Sequence, residues 1–185
     1  MDSYETIPEV IHNVCLKNPD KDAIIEGDKR VTYRELDVSI ANCAKAFLAA
    51  GVQPGDRVGL WAPNSAEWIV IALGIQSVGA ALVPINTRYK PGEAAYPLQK
   101  TKAKMLFTAD GFMGIEGEAV VAKIRHEGGP DIRIININGD EAKEDSLSSF
   151  LSSAQSNDGD HRARNFKDIS ASTLCDIMFL SLIHI

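Results

Sequence analysis

The sequence is poor in the residues that tie a chain together or do chemistry in familiar patterns. It has three cysteines, Cys15, Cys43 and Cys175, none in a C-x-x-C pair. An odd count with no pairing pattern argues against a disulfide framework and fits a reducing, cytoplasmic setting. Histidine is equally scarce. His12, His126, His161 and His184 lie far apart, and none stands at H-x-x-x-H spacing, so no metal ligand set can be read. No G-x-S-x-G nucleophile elbow occurs. The start, Met1 to Thr6, is acidic and has no apolar run behind it, so it does not read as a secretory signal. A membrane span is missing too. The most apolar stretch, Trp68 to Ile85, is interrupted by Gly74, Gln76, Ser77, Gly79 and Pro84, which suits a buried helix followed by a buried strand, not a bilayer crossing. Positive charge is in deficit: 19 Lys plus Arg face 25 Asp plus Glu, a net charge of −6. The basic residues are spread, so nucleic acid is not an expected partner. No internal repeat occurs.

What is present is ordinary globular usage, 45% hydrophobic and 24% charged over 185 residues. That is enough for one domain with its own core. Helix and strand signals alternate. Ile7 to Lys17 reads as a helix closed by Pro19, and Ala23–Glu26 with Arg30–Thr32 as a hairpin around Gly27-Asp28. Thr32-Tyr33-Arg34-Glu35 is a capping box. The helix behind it repeats Leu36, Ile40, Cys43, Ala44, Phe47 and Leu48 at the helical period and ends at Gly51. Gln53-Pro54-Gly55-Asp56 is a turn, followed by a strand over Arg57–Ala62. A helix apolar on most sides, Ala66 to Val78, is expected to be largely buried. Ala81–Ile85 reads as a strand with Pro84 near its end, Pro91–Lys102 as a helix and Met105–Thr108 as a strand. Glu118–His126 reads as a helix and Ile132–Ile137 as a strand. Residues 139–170 form a loop-rich connection holding one weak helix, Leu147 to Ala154, and Leu174–Phe179 is a last apolar strand. The expected fold class is α/β, an open, largely parallel sheet with flanking helices.

Few segments suggest a site. Gly74-Ile75-Gln76-Ser77-Val78-Gly79 has the glycines of a phosphate loop, but Ala80 and Ala81 stand where Lys and Ser/Thr are required. Gly111 to Gly117 is spaced G-x-x-G-x-x-G, not G-x-G-x-x-G, and reads as a βα loop. Backbone amides behind Asn64 or Ser65 could hold an anion at a helix start, and Arg88 and Tyr89 could face a cleft at a strand end. For each, a structural role is the weightier reading. Cys43 sits on the apolar helix face as a core residue, and Arg162 and Arg164 belong to a solvated loop.

Thr32-Tyr33-Arg34-Glu35-Leu36, Leu48 to Val58, Trp61-Ala62-Pro63-Asn64-Ser65-Ala66-Glu67-Trp68, Gly79 to Tyr89 and Asp176-Ile177-Met178-Phe179 are a different kind of signal. In order and spacing they resemble the N-terminal region of the adenylate-forming acyl-CoA synthetases, above all the bacterial ligases of fatty acids and steroid-derived acids. The resemblance covers Ile7 to Phe179. It implies that residues 1–179 are the N-terminal part of an AMP-binding domain within a larger α/β domain. The implied activity is an acid–thiol ligase that uses ATP, Mg²⁺ and coenzyme A on a small-molecule carboxylic acid, and a homo-oligomer is compatible with it. An aryl-acid or peptide-synthetase adenylation enzyme on the same scaffold, and a truncated binding module without catalysis, are the alternatives. In the family a loop T-S-G-T-T-G follows the D-I-M-F segment. Here Leu180-Ser181-Leu182-Ile183-His184-Ile185 follows it, so no catalytic, cofactor-binding or metal-binding residue carries over and the chain alone is expected to be inactive. Those six residues also match a translated sequencing-library adapter, so 180–185 is expected to be a non-native tail.

Overall fold

The computed structural model describes residues 6–153 and 169–180. The first helix, α1 (Ile7–Lys17), is capped by Thr6, whose hydroxyl accepts from the Glu9 amide at 3.4 Å. The hairpin β1 (Asp22–Glu26) and β2 (Lys29–Thr32) is antiparallel. It runs straight into α2 (Tyr33–Ala49) through the expected capping box. The Thr32 hydroxyl accepts from the Glu35 amide at 3.3 Å, and the Glu35 carboxylate accepts from the Thr32 amide at 2.8 Å. Gly51 sits at φ +79° just past the helix, the left-handed conformation that closes helix ends. Asp56 then donates its amide to the Gln53 carbonyl at 3.0 Å around Gly55 at φ +82°.

The remaining elements are β3 (Arg57–Trp61), α3 (Ala66–Ser77), β4 (Ala81–Pro84), α4 (Pro91–Thr101), β5 (Met105–Thr108), α5 (Gly117–His126), β6 (Arg133–Asn136) and α6 (Leu147–Ser152). β4, β3, β5 and β6 pair in that order, all parallel. Successive helices cross over to make this possible, as a parallel sheet demands. One face of the sheet packs under α2, α3 and α6, where Phe47, Phe107 and Phe150 meet edge to face at 5.2–5.5 Å. The other packs under α4 and α5, with Trp61, Leu98, Leu106 and Ile124 fully buried. α6 is the single helix of the described part of 139–170.

One expectation is corrected. The last apolar strand, Leu174–Phe179, is one bridge and not a ladder. The Leu82 amide donates to Cys175 and the Leu82 carbonyl accepts from Ile177, both at 2.8 Å, and pairing stops there. The next outward-facing position on β4 is Pro84, which has no N–H to give. α3 is largely buried, as its composition predicts: Ile71, Gly74, Ile75 and Gln76 are buried and Trp68, Ile69, Val70 and Leu73 half-buried, with no residue of the helix exposed.

α2 and α3 approach closely at Gly74, where an added Cβ would lie 2.8 Å from Cys43 Sγ. Alanine at position 74 gains about 1 kcal/mol in helix propensity, but overpacking a closed core costs about 1–3 kcal/mol. Gly74→Ala is therefore expected to lower the urea midpoint, and Cys43→Ala in the same chain to recover part of the loss.

Candidate functional site at the carboxyl edge of the sheet

In open α/β sheets, ligands bind outside the carboxyl ends of the strands. Four loops meet that edge here, after β3 (62–65), β4 (85–90), β5 (109–116) and β6 (137–146). The Asp176–Phe179 segment arrives beside them. It runs parallel to β4 and is pinned by Gln76, whose side-chain amide donates to both Asp176 carboxylate oxygens at 3.1 and 3.4 Å. The Phe179 ring rests edge-on against Tyr96 at 5.9 Å. Because the segment is parallel to β4, the chain leaves it at the carboxyl edge.

The first candidate anion slot is already filled from within. Ser65 caps α3, its hydroxyl accepting from the Trp68 amide at 3.1 Å. The Ala66 amide donates to the Glu26 carboxylate at 3.1 Å. The hairpin thus supplies its own carboxylate where an external anion would sit. A second contact locks it: Lys29 donates to Glu67 at 2.6 Å. Burial works to raise the Glu67 carboxyl, but the hydrogen bonds from Lys29 and from its own backbone outweigh it and hold the group below the ordinary carboxylate value. The same hydrogen bond raises the Lys29 ammonium.

The pH consequence follows from those directions. The lowered Glu67 gives a contribution present above about pH 4.3, its unfolded value, and lost as pH falls through the folded one. The raised Lys29 gives a contribution present below about pH 10.4 and lost as pH rises through its folded value. For a half-exposed pair the amount is about 0.2–1 kcal/mol. Hairpin amide protection, with exchange taken relative to the unstructured rate at each pH, is expected to fall on acidification in the wild-type chain, with a smaller acid response in Glu67→Gln.

The Gly111–Gly117 segment is a βα loop, as expected. Gly111 and Gly114 take φ +88° and +80° around a short 3₁₀ turn, Phe112–Gly114. Asp110 accepts from the Gly117 amide at 3.0 Å, so the start of α5 is also satisfied internally. Gly117 has no side chain because Thr108 stands 2.9 Å from where one would begin. The Thr108 hydroxyl is buried without a hydrogen-bond partner among the described residues.

After β4, Asn86 organises the loop. Its side-chain oxygen accepts from the Arg88 amide at 2.9 Å, and its carbonyl accepts from the Tyr89 amide at 3.0 Å and from Trp61 Nε1 at 3.1 Å. Tyr89 packs against the Trp61 core, which is the structural role favoured from sequence. Arg88 is exposed, and its guanidinium has no partner among the described residues. The Gly74–Gly79 segment is helix and helix end, not a phosphate loop.

Elsewhere, His12 Nδ1 lies 2.8 Å from Asp37 Oδ1, joining α1 to α2, and His126 is exposed in the last turn of α5. Burial pushes the thiols of Cys43 and Cys175 up, with the Asp176 charge adding to the second, so neither is poised as a thiolate nucleophile. No group of three His, Cys, Asp or Glu side chains could hold a metal among the described residues, and no helix among them is long and apolar enough to cross a membrane. His161, Arg162, Arg164, Ser181 and His184 lie outside the described residues.

Glu26 as a plug and the Gln76–Asp176 bond were missed by sequence reasoning. Both join residues far apart in the chain, and no local pattern marks them.

Comparison with known proteins adds a second line. A family model described as AMP-binding enzyme matches residues 11–181. A Rhodococcus jostii coenzyme A ligase, named for a propanoyl group on a 7a-methyl-1,5-dioxo-octahydroindene skeleton, is 32% identical over 183 residues, covering 95% of this chain and 35% of the relative. The N-terminal domain of FACL13 from Mycobacterium tuberculosis matches at TM-score 0.64 and 25% identity, covering 83% of this chain and 36% of that one. NpsA-ThdA, an adenylation–PCP di-domain fusion from Klebsiella oxytoca, matches at TM-score 0.70 over 97% of this chain and 29% of that one, but at 18% identity it speaks for the fold alone. The chain spans about a third of the length of each of these three.

Proposed function

Because the chain belongs to the AMP-binding enzyme family, we propose that it is the amino-terminal part of an acid–thiol ligase. The whole protein would activate a carboxylic acid with ATP and Mg²⁺ as an acyl-adenylate and pass the acyl group to coenzyme A. A carboxylate is a poor electrophile, and adenylation turns one of its oxygens into a leaving group that a thiol can displace. The naming of the Rhodococcus relative favours an aliphatic or steroid-derived acid as the substrate class. A cytoplasmic location goes with this reading.

The observation that carries the proposal is the Asp176–Phe179 segment. It lies parallel to β4, is held by Gln76, and has its carboxyl-terminal end at the carboxyl edge of the sheet, where α/β folds bind ligands. The described residues do not themselves fit a triphosphate. The amides that start α3 and α5 are taken by Glu26 and Asp110, and Leu180 to Ile185 contains no lysine, glycine or threonine. The role of this region is to frame the site: the sheet positions the segment, and the self-capped helix starts leave the Asp176–Phe179 end as the open one.

The 185-residue chain is expected to show no acid-dependent ATP–pyrophosphate exchange above a heat-killed control. The full-length protein is expected to show exchange with alkanoic or steroid-derived acids, followed by thioester formation with coenzyme A. An aryl-acid or peptide-synthetase adenylation enzyme is the second reading, favoured by the Klebsiella match over nearly the whole chain. Exchange with aryl or amino acids and no coenzyme A thioester would establish it instead.

A further inference from the structure

A groove of about 620 Å³ lies between the hairpin, α2, α3 and α6, within the size range of small-molecule sites. Ile24, Val31, Val70, Ile71, Leu147 and Leu151 make its walls apolar. Lys29 and Glu67 also line it but are spent on each other at 2.6 Å. The third charged residue of the lining, Lys45 on α2, is half-buried and makes no ion pair or hydrogen bond among the described residues. Asn42, one turn away on α2, and Ser148 on α6 add uncharged polar groups to the same lining.

A half-buried lysine with no ion partner among the described residues, beside apolar walls, suits an anion that carries its own apolar part. We propose that this groove binds an amphipathic monoanion, an aliphatic chain ending in a carboxylate. The chain lies along Ile24, Val31, Val70 and Leu151, and the carboxylate accepts from the Lys45 ammonium. One cation, and not a row of them, suits a small ligand better than an acidic helix. A singly charged head is also favoured over a doubly charged phosphate, because the protein carries a net charge of −6. The proposal does not rest on the ligase reading, and its test contains neither ATP nor coenzyme A.

Equilibrium dialysis of the 185-residue chain against labelled dodecanoate, with dodecan-1-ol as the uncharged probe, decides the question, the fold of every variant being checked by far-UV circular dichroism. Dodecanoate is expected to bind saturably. Lys45→Met should weaken it by about tenfold, the scale of one charge-assisted hydrogen bond, while leaving dodecan-1-ol unchanged, and Lys45→Arg should restore binding. Val70→Trp, which fills the groove from the half-exposed side of α3, should abolish binding of both probes. Leu151→Trp does the same from the opposite wall if the first variant misfolds. Absence of saturable dodecanoate binding, equal loss of acid and alcohol in Lys45→Met, or undiminished binding in both tryptophan variants would each overturn the proposal.

Discussion

Replacing Phe47 by alanine is expected to remove a large share of the chain's stability. The side chain is fully buried and meets Phe107 at 5.5 Å and Phe150 at 5.2 Å, both edge to face. It joins α2 to the central sheet and to α6, so three elements lose a common anchor. Truncating a buried phenylalanine costs about 3–5 kcal/mol, lost ring contacts included. Against a total of about 5–15 kcal/mol for a folded domain, that is about a fifth or more. At this chain length 1 kcal/mol moves the melting temperature by about 2–4 °C, so Phe47→Ala should lower it by about 6–20 °C in a thermal melt followed by circular dichroism. A loss under about 1 kcal/mol would mean that the site collapses around the missing ring, contrary to a rigidly packed trio.

The second large effect is self-association through the outer edge of the Asp176–Phe179 segment. Cys175 and Ile177 turn their backbone groups toward Leu82, so Asp176 and Met178 turn theirs outward. Leu174, Met178 and Leu180 are 58%, 72% and 79% exposed on the same short stretch. An open strand edge flanked by exposed apolar side chains is a template for pairing with another chain. Sedimentation velocity is expected to show species that grow with concentration in the wild-type chain, and mainly monomer in Met178→Lys/Leu180→Lys, because lysine blunts such edges. A wild-type chain that stays monomeric with a sharp, reversible melt would contradict this.

Much of the fold was legible because its signals are local. The Thr32–Glu35 capping box, the left-handed Gly51, and the Gln53–Asp56 turn around Pro54 and Gly55 each involve a few adjacent residues, and each formed as read. Order across the sheet was not legible. That β3 is central, with β4 on one side and β5 on the other, follows from how crossovers pack, not from any short pattern. The strand expected at Leu174–Phe179 shrank to a bridge because one proline on its neighbour lacks an N–H, a fact written 90-odd residues earlier in the chain. At the candidate site, the sequence supplied the resemblance and the position of the D-I-M-F segment. The carboxylates that fill the helix starts, Glu26 and Asp110, could not be foreseen, since nothing in a hairpin or a βα loop says which distant amide it will meet.

The pairing of Leu82 with Cys175 and Ile177 also sets a timetable. β3, α3, β4, α4, β5, α5 and β6 follow one another closely and can close as each emerges during synthesis. The partner for the outer edge of β4 emerges only after all of these elements. At ribosomal rates of about 5–20 residues per second, the stretch from Leu82 to Asp176 takes roughly 5–20 s to appear. During that interval β4 waits with one side unsatisfied, and a nascent chain stalled before Asp176 would offer that edge to whatever strand comes near. Synthesis therefore exposes one edge, that of β4, before the finished chain exposes another, the outer side of Asp176–Phe179.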